Sequence, residues 1–364
     1  MEFGLSEEQR LLGDSVAKML EDASPLDHVR EAAANRTQSA AVQTALTDLG
    51  APALLVPEEF GGLGLGMLDA ALIQEALGGH VSPASFTGSG VMATVGIVTA
   101  GTDEQKAAYL PKIACGEARF GVAVSEKTGA RLAAGVTAEG GKLNGQALFA
   151  LDTDGASHII VADKDGGLHV VDAGADGLSH QDLKTIDRTR IFRELTLANV
   201  AATPLSAENE QGLACRRMVD AGRIMLAADT LGAGQEMIRQ AVEYAKERKQ
   251  FNRVIASFQA VKHMCAEMAA ELEPCRSLVW YAAHAFDHIP EESSLMACHA
   301  KSHLSEVGRF VARTATEVHG GMGFTDLLGL HYWFKRIGAN RQILGGPEAV
   351  RAEAAKLQGW GEVA

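Results

Sequence analysis

The residues that stand out for chemistry in this sequence are better suited to gripping a ligand than to attacking one. Glu247-Arg248-Lys249-Gln250-Phe251 is followed by Gln259, eight residues on. A guanidinium presents a planar fork of donors that matches phosphate oxygens. Taken alone, the run equally suits a solvated arginine at a helix end. Val318-His319-Gly320-Gly321-Met322-Gly323-Phe324 places two adjacent glycines after a helical stretch. Such a pair lets backbone approach a ligand and offers its amides to phosphate or ribose groups, and it also serves as a plain helix C-cap. The five cysteines, Cys115, Cys215, Cys265, Cys275 and Cys298, form no C-x-x-C pair and no zinc-ligand spacing. No two of the 12 histidines form H-E-x-x-H, so no metal is expected.

Composition narrows the partners. The chain has 364 residues and a net charge of −13, from 46 acidic and 33 basic residues. That balance disfavours nucleic acid, and no basic run contradicts it. No window reaches the roughly 18 uninterrupted apolar residues of a membrane span. The N-terminal residues MEFGLSEEQRLLGDSV lack the basic and apolar regions of a signal peptide, so the cytoplasm is the expected compartment.

These residues need elements to position them. Ser6 followed by EEQRLLGDSVAKML reads as a capped helix with acids in its first turn. AAVQTALTDLG ends on Gly50, a C-cap signal. MLDAALIQEALGGH and GVMATVGIVTAGTDEQKAAYLPKIACGEA continue the helical pattern. The character changes near residue 118. RFGVAVSE, GVTAEGGKLNGQALFAL, HIIVADKDGGLHVVDA and RELTLANVAATPL alternate and are separated by Gly and Asp turns, as strands do. Beyond Glu210 the i, i+3, i+4, i+7 spacing returns in three long stretches, and a last helix starts after Gly346 with Pro347 at N1. The expected fold is α+β: a helical domain over 1–117, a β domain over 118–208, and a helical bundle over 209–364.

This α–β–α order resembles the acyl-CoA dehydrogenase family of flavoproteins. Four motifs carry the resemblance: Pro57-Glu58-Glu59-Phe60-Gly61-Gly62-Leu63-Gly64; Gln105-Lys106-Ala107-Ala108-Tyr109-Leu110-Pro111 with Gly116-Glu117; the Arg248 run with Gln259; and the Gly320-Gly321 run. Each occurs by chance elsewhere, but together and in order they span nearly the whole chain. The resemblance implies a middle β-barrel domain, a C-terminal four-helix bundle and an oligomer with FAD at a subunit interface. It also implies an acyl-CoA substrate and an electron-transferring flavoprotein as acceptor. In such an enzyme a carboxylate removes the thioester α-proton while FAD takes hydride from the β-carbon. The base must reach that weakly acidic proton, and the developing enolate needs donors at the thioester oxygen.

Carried onto this sequence, the family assigns Arg248, Phe251, Gln259, Glu317, Gly320, Gly321 and Ser125 to FAD. Departures accompany these matches. Glu317 stands where the family has glutamine, and a carboxylate donates only when protonated. Lys127-Thr128-Gly129-Ala130-Arg131 departs from P-x-x-G-S-D, and Phe149-Ala150-Leu151 replaces W-I-T, losing a hydroxyl used near flavin N5. The family carries its base at one of two glutamate positions, and here Leu344 and Gly222 occupy them. Asp220 and Glu348 lie nearby but out of register; two residues on a helix is a turn of about 200°.

Contacts implied across an interface are kept, and those to the chain's own flavin and substrate are eroded. This pattern is expected of a base-less subunit of a heteromeric α2β2 enzyme, paired with a homologous catalytic subunit. Its substrate would be a bulky ester such as a steroid side-chain CoA. Two alternatives stand beside it: a homomeric flavoenzyme with altered chemistry or a displaced base, and a non-enzymatic scaffold.

Overall fold

The computed structural model describes residues 4–124, 135–205 and 212–360. The first helices are α1 (Glu7–Ala23), α2 (Leu26–Asn35), α3 (Ala40–Asp48), α4 (Met67–Gly79), α5 (Ala93–Ala100) and α6 (Asp103–Ala114). Ser6 and Gln9 bond each other's backbone at the start of α1, closing a capping box. Gly50, at φ 81°, turns the chain after α3. A short π-helix, Thr87–Met92, runs into α5.

The middle of the chain holds β1 (Phe120–Ala123), β2 (Gly135–Glu139), β3 (Lys142–Ala150), β4 (His158–Ala162), β5 (Leu168–Asp172), β6 (Leu178–Asp182), β7 (Arg193–Ala201) and β8 (Thr203–Pro204). They form two four-stranded sheets, in the orders β1-β4-β5-β8 and β2-β3-β7-β6. The first sheet is covered on both faces. Ile159 and Val161 of β4 join a core shared with the second sheet, while Ile160 and Ala162 join the helical core. Strand alternation produces that split. The two sheets meet where Val122 and Leu151 exchange backbone hydrogen bonds of 2.9 Å.

The third part is α7 (Leu213–Glu247), a small hairpin of β9 (Lys249–Gln250) and β10 (Arg253–Val254), α8 (Gln259–His288), α9 (Pro290–His319), α10 (Leu330–Gln342) and α11 (Pro347–Leu357). Helices α7, α8 and α9 pack together, α10 completes the bundle, and α11 lies on α9. α7 also crosses α4, backbone against backbone. A Cβ on Gly78 would sit 2.1 Å from the Asp229 carbonyl oxygen, and one on Gly232 would sit 1.8 Å from the Glu75 carbonyl oxygen. Only glycine permits that approach. No helix among the described residues is long and apolar enough to cross a membrane.

A buried polar network ties the helical and β parts together. The Asp229 carboxylate on α7 accepts from Gln74 of α4 at 2.8 Å, Arg336 of α10 at 3.1 Å and Asn340 of α10 at 2.7 Å. Arg336 also pairs with Asp187, in the segment between β6 and β7, at 3.0 Å. Burial pushes the Asp187 carboxyl up, but Arg336, Arg190 and the Thr189 hydrogen bonds outweigh it and hold the pKa below the usual range.

Candidate functional site

The residues expected to grip a ligand gather at one end of the bundle. Arg248 caps the C-terminus of α7, and Gly320 that of α9. One turn before Arg248, Tyr244 packs on His319 with ring centroids 4.7 Å apart, so the two helix ends sit side by side. Arg248, Phe251, Gln259, Glu317, Gly320 and Gly321 are all exposed. Phe251 is 87% exposed, though it meets Phe258 edge-on at 6.1 Å. Arg253 lies over the Phe258 ring at 4.0 Å, stiffening the hairpin that carries Phe251. Gly320 has φ 58°, and a Cβ on Gly320 or Gly321 would meet nothing within 4 Å. The arrangement presents a guanidinium, an uncovered ring and open glycine backbone on one surface. Arg313, one turn before Glu317, lines with Glu317, Arg309 and Phe310 a groove that extends this face along α9.

The two positions assigned to the base come together deep inside the chain. Gly222 lies within α7, and Leu344 lies in the turn between α10 and α11. A Cβ on Gly222 would sit 2.4 Å from Leu344 Cδ1 and 2.7 Å from Met92 Sδ. Met92 and Leu344 are both buried. The spot where a carboxylate is expected is therefore an apolar contact among Gly222, Leu344 and Met92. Leu344 has φ 57°, a left-handed conformation that is costly for leucine.

Neither fallback carboxylate reaches this contact. Asp220 is buried against α9, where its Oδ2 accepts from the Ser294 hydroxyl at 2.6 Å. Burial pushes its pKa up to about 6, against the pull of Ser294 and Arg223. Glu348 sits in the first turn of α11 with an exposed side chain, and it accepts from Arg341 at 3.1 Å.

Two basic side chains, from α7 and α9, surround the Leu344 turn. Arg223 donates Nε to the Leu344 carbonyl at 3.1 Å and Nη2 to Glu353 at 2.7 Å. Lys301 of α9 donates Nζ to the carbonyls of Gly345 and Arg341, each at 3.1 Å. Burial, with Arg223 and Arg341 nearby, pulls the Lys301 pKa down to about 7. A lysine on the apolar side of an otherwise regular amphipathic helix was the available signal. Met92 offered none, because a buried methionine on a helix is ordinary.

The β-domain residues that the resemblance sets beside flavin are only partly exposed. Phe149, at φ 51°, is 37% exposed and meets Phe192 edge-on. Leu151 is buried in its bridge to Val122. Asp152 is buried and accepts from the Gly88 and Ser89 amides at 2.7 and 3.0 Å. Ser125 and the 127–131 segment lie outside the described residues.

Comparison with known proteins matches this architecture. Residues 6–117 match the acyl-CoA dehydrogenase N-terminal domain, and residues 212–356 match the acyl-CoA dehydrogenase C-terminal domain. The chain is 30% identical to the acyl-CoA dehydrogenase IpdE2 of Mycolicibacterium smegmatis, over 94% of its own length and 96% of the relative's. It is also 30% identical to IpdE2 of Mycobacterium tuberculosis, over 94% and 95%. Among solved structures, a variant of the Tcur3481–Tcur3483 steroid ACAD superposes with a TM-score of 0.88 at 28% identity, covering 98% of this chain and 99% of that one. The ChsE4–ChsE5 complex from Mycobacterium tuberculosis shares the fold with a TM-score of 0.89 at 23% identity, covering 99% of each chain. Helical and β parts in this order, matched along almost the full length, make the chain a member of the acyl-CoA dehydrogenase family, whose cofactor is FAD.

Proposed function

We propose that this chain is the base-less subunit of a heteromeric acyl-CoA dehydrogenase and completes an FAD site on a homologous catalytic partner. The observation that carries the reading is an asymmetry. The outward-facing residues are present and uncovered, while both base positions are filled by an apolar contact of Leu344 and Gly222. A chain without a carboxylate at either place cannot take the thioester α-proton there, because proton transfer needs a base within hydrogen-bond reach.

The residues fit FAD as a contribution from outside. Arg248 would hold a phosphate bidentately, and Phe251 and Gln259 would flank it from the hairpin and the first turn of α8. The Gly320 and Gly321 amides have room beside them for phosphate or ribose oxygens. Glu317, beside Arg313, contributes an acceptor where the family has an amide. FAD, when bound, accepts hydride from the thioester β-carbon. From the middle of the chain Ser125 would supply a hydroxyl toward the same group. The reading places the domains at 1–117, 118–208 and 209–364, and the assembly as α2β2. Reduced flavin would pass its electrons to an electron-transferring flavoprotein. The relative named for the pair Tcur3481–Tcur3483 is a steroid ACAD, which supports a bulky ester such as a steroid side-chain CoA.

The test is the flavin-to-protein ratio by visible absorbance, for the chain alone and co-expressed with the product of a neighbouring related gene. Little flavin alone, and flavin at half the subunit count in the complex, is the expected result. One flavin per subunit in the chain alone, with ordinary acyl-CoA oxidation, overturns the reading.

A further inference from the structure

We infer that Leu344 is a plug: the space beside Gly222 where this chain would seat an acyl thioester is filled by Leu344 and Met92, and the chain takes no acyl group there. The inference rests on the subunit reading above and extends it from a missing base to a closed site.

Three observations converge on the plug. Leu344 reaches Gly222 so closely that even a methyl group on that glycine would lie 2.4 Å from Cδ1, while Met92 arrives from the π-helical segment at 2.7 Å. The two sides of the space are also drawn together above and below this contact. A Cβ on Gly96 would lie 2.5 Å from Met218 Sδ, and one on Gly88 would lie 3.0 Å from Asp152 and 3.1 Å from Leu151. The segment 87–100 therefore packs on α7 and beside the end of β3 at distances set by glycine at these points.

The third observation is the way the plug is held. Leu344 has φ 57° and Gly345 has φ 102°, so the turn is not one that leucine adopts by preference. Two buried basic side chains from different helices fix it. Arg223 of α7 bonds the Leu344 carbonyl, and Lys301 of α9 bonds the Gly345 carbonyl and the last turn of α10 through Arg341. Glu353 of α11 anchors Arg223 in turn at 2.7 Å. Strain that persists at one residue requires surroundings that over-determine it, and Arg223 and Lys301 are those surroundings. They are positioning residues, acting through the backbone of the turn.

The experiment compares CoA with octanoyl-CoA and cyclohexylpropionyl-CoA by equilibrium dialysis on the purified chain. The ratio of their dissociation constants isolates the contribution of the acyl group. Leu344→Gly removes the plug at a backbone angle that suits glycine. Leu344→Ala and Met92→Ala open the same space from either side, and thermal melting shows which variants fold. The wild-type chain is expected to bind all three compounds within a factor of about two. Folded plug variants are expected to prefer an acyl-CoA at least tenfold over CoA. A wild-type chain that already prefers acyl-CoA tenfold overturns the inference, and so do folded variants that all lack the preference. The subunit reading fails separately: a chain that is homotetrameric with one flavin per subunit, yet shows no acyl preference, overturns the partner and leaves the plug standing.

Discussion

Arg248 illustrates how little a single side chain means without its neighbours. It is an exposed arginine at a helix end, and only its place beside the end of α9 supports the proposal that it grips a ligand. A charge-assisted hydrogen bond contributes about 1.5–3 kcal/mol, so Arg248→Ala is expected to weaken FAD retention by the complex roughly 10- to 100-fold. Arg248→Lys is expected to recover only part of this, because an ammonium lacks the fork. Flavin release on dilution, followed by fluorescence, measures both. Lys301 makes a prediction of the opposite kind, on stability. Its folded pKa is about 7, against 10.5 for an ordinary lysine. Between those values the unfolded chain holds a proton that the folded chain lacks, so this group makes stability rise with pH. Asp220 titrates near pH 6, and Cys298, pushed up by burial to about 12, departs from its ordinary value only above pH 9. The window from pH 7 to 9 therefore belongs to Lys301 within this cluster. Relative to Lys301→Met, the wild-type Tm is expected to climb across that window, and parallel melting curves of the two proteins would contradict it.

At the scale of elements, the crossing of α4 and α7 positions everything else. α7 carries Gly222 in its middle and Arg248 at its end, so a shift in that helix moves both the plug and the ligand-facing surface. Gly232 and Gly78 permit the crossing by removing every atom between two backbones. Gly232→Ala puts a methyl group where the Glu75 carbonyl already sits. Gly→Ala within a helix ordinarily gains about 1 kcal/mol of propensity. Here overpacking, typically about 1–3 kcal/mol and more against backbone, is expected to win, and Tm should fall. Gly13→Ala in α1, where an added Cβ would meet nothing within 4 Å, is the control and should raise or preserve Tm. Calorimetry that gives both substitutions the same sign would refute the close crossing.

At the scale of the molecule, the Asp229–Arg336–Asp187 network clamps the helical parts to the β domain. Removing one partner of a buried ion pair costs about 3–5 kcal/mol, because the other charge stays buried and unpaired. Arg336→Met leaves Asp229 without a cation and Asp187 with Arg190 alone, and is expected to lower Tm by several degrees. Arg239→Ala, which loses only the exposed pair with Glu236, should change it by less than a degree or two. Equal shifts in a melting experiment would show that the network does not hold the domains. The clamp also explains how the molecule accommodates a buried arginine: the in-plane N–H groups of the Arg336 guanidinium donate to acceptors from three different segments, Asp229, Ser82 and Thr189.

What was legible in the sequence followed from local rules. Ser6 and the acids after it announced the start of α1, the glycine and aspartate turns the breaks between strands, and Pro347 the start of α11. Each depends on a few consecutive residues whose backbone preferences are intrinsic. Helical periodicity likewise delivered the long C-terminal helices, and motif order delivered the family. Arg248, Gly320 and Gly321 could be picked out as candidates because their types suit phosphate and their motifs are contiguous; that the two helix ends adjoin came from the structure. The contact of Gly222 with Leu344 and Met92 was not readable as a contact. Those three residues come from separate elements, and an apolar side chain carries no signal of which apolar neighbour it will meet. Lys301 and Arg223 became meaningful only when α7, α9 and the turn before α11 closed around one another. Tertiary packing made that decision, because burial turns two basic side chains with unremarkable spacing into the donors that hold a strained turn.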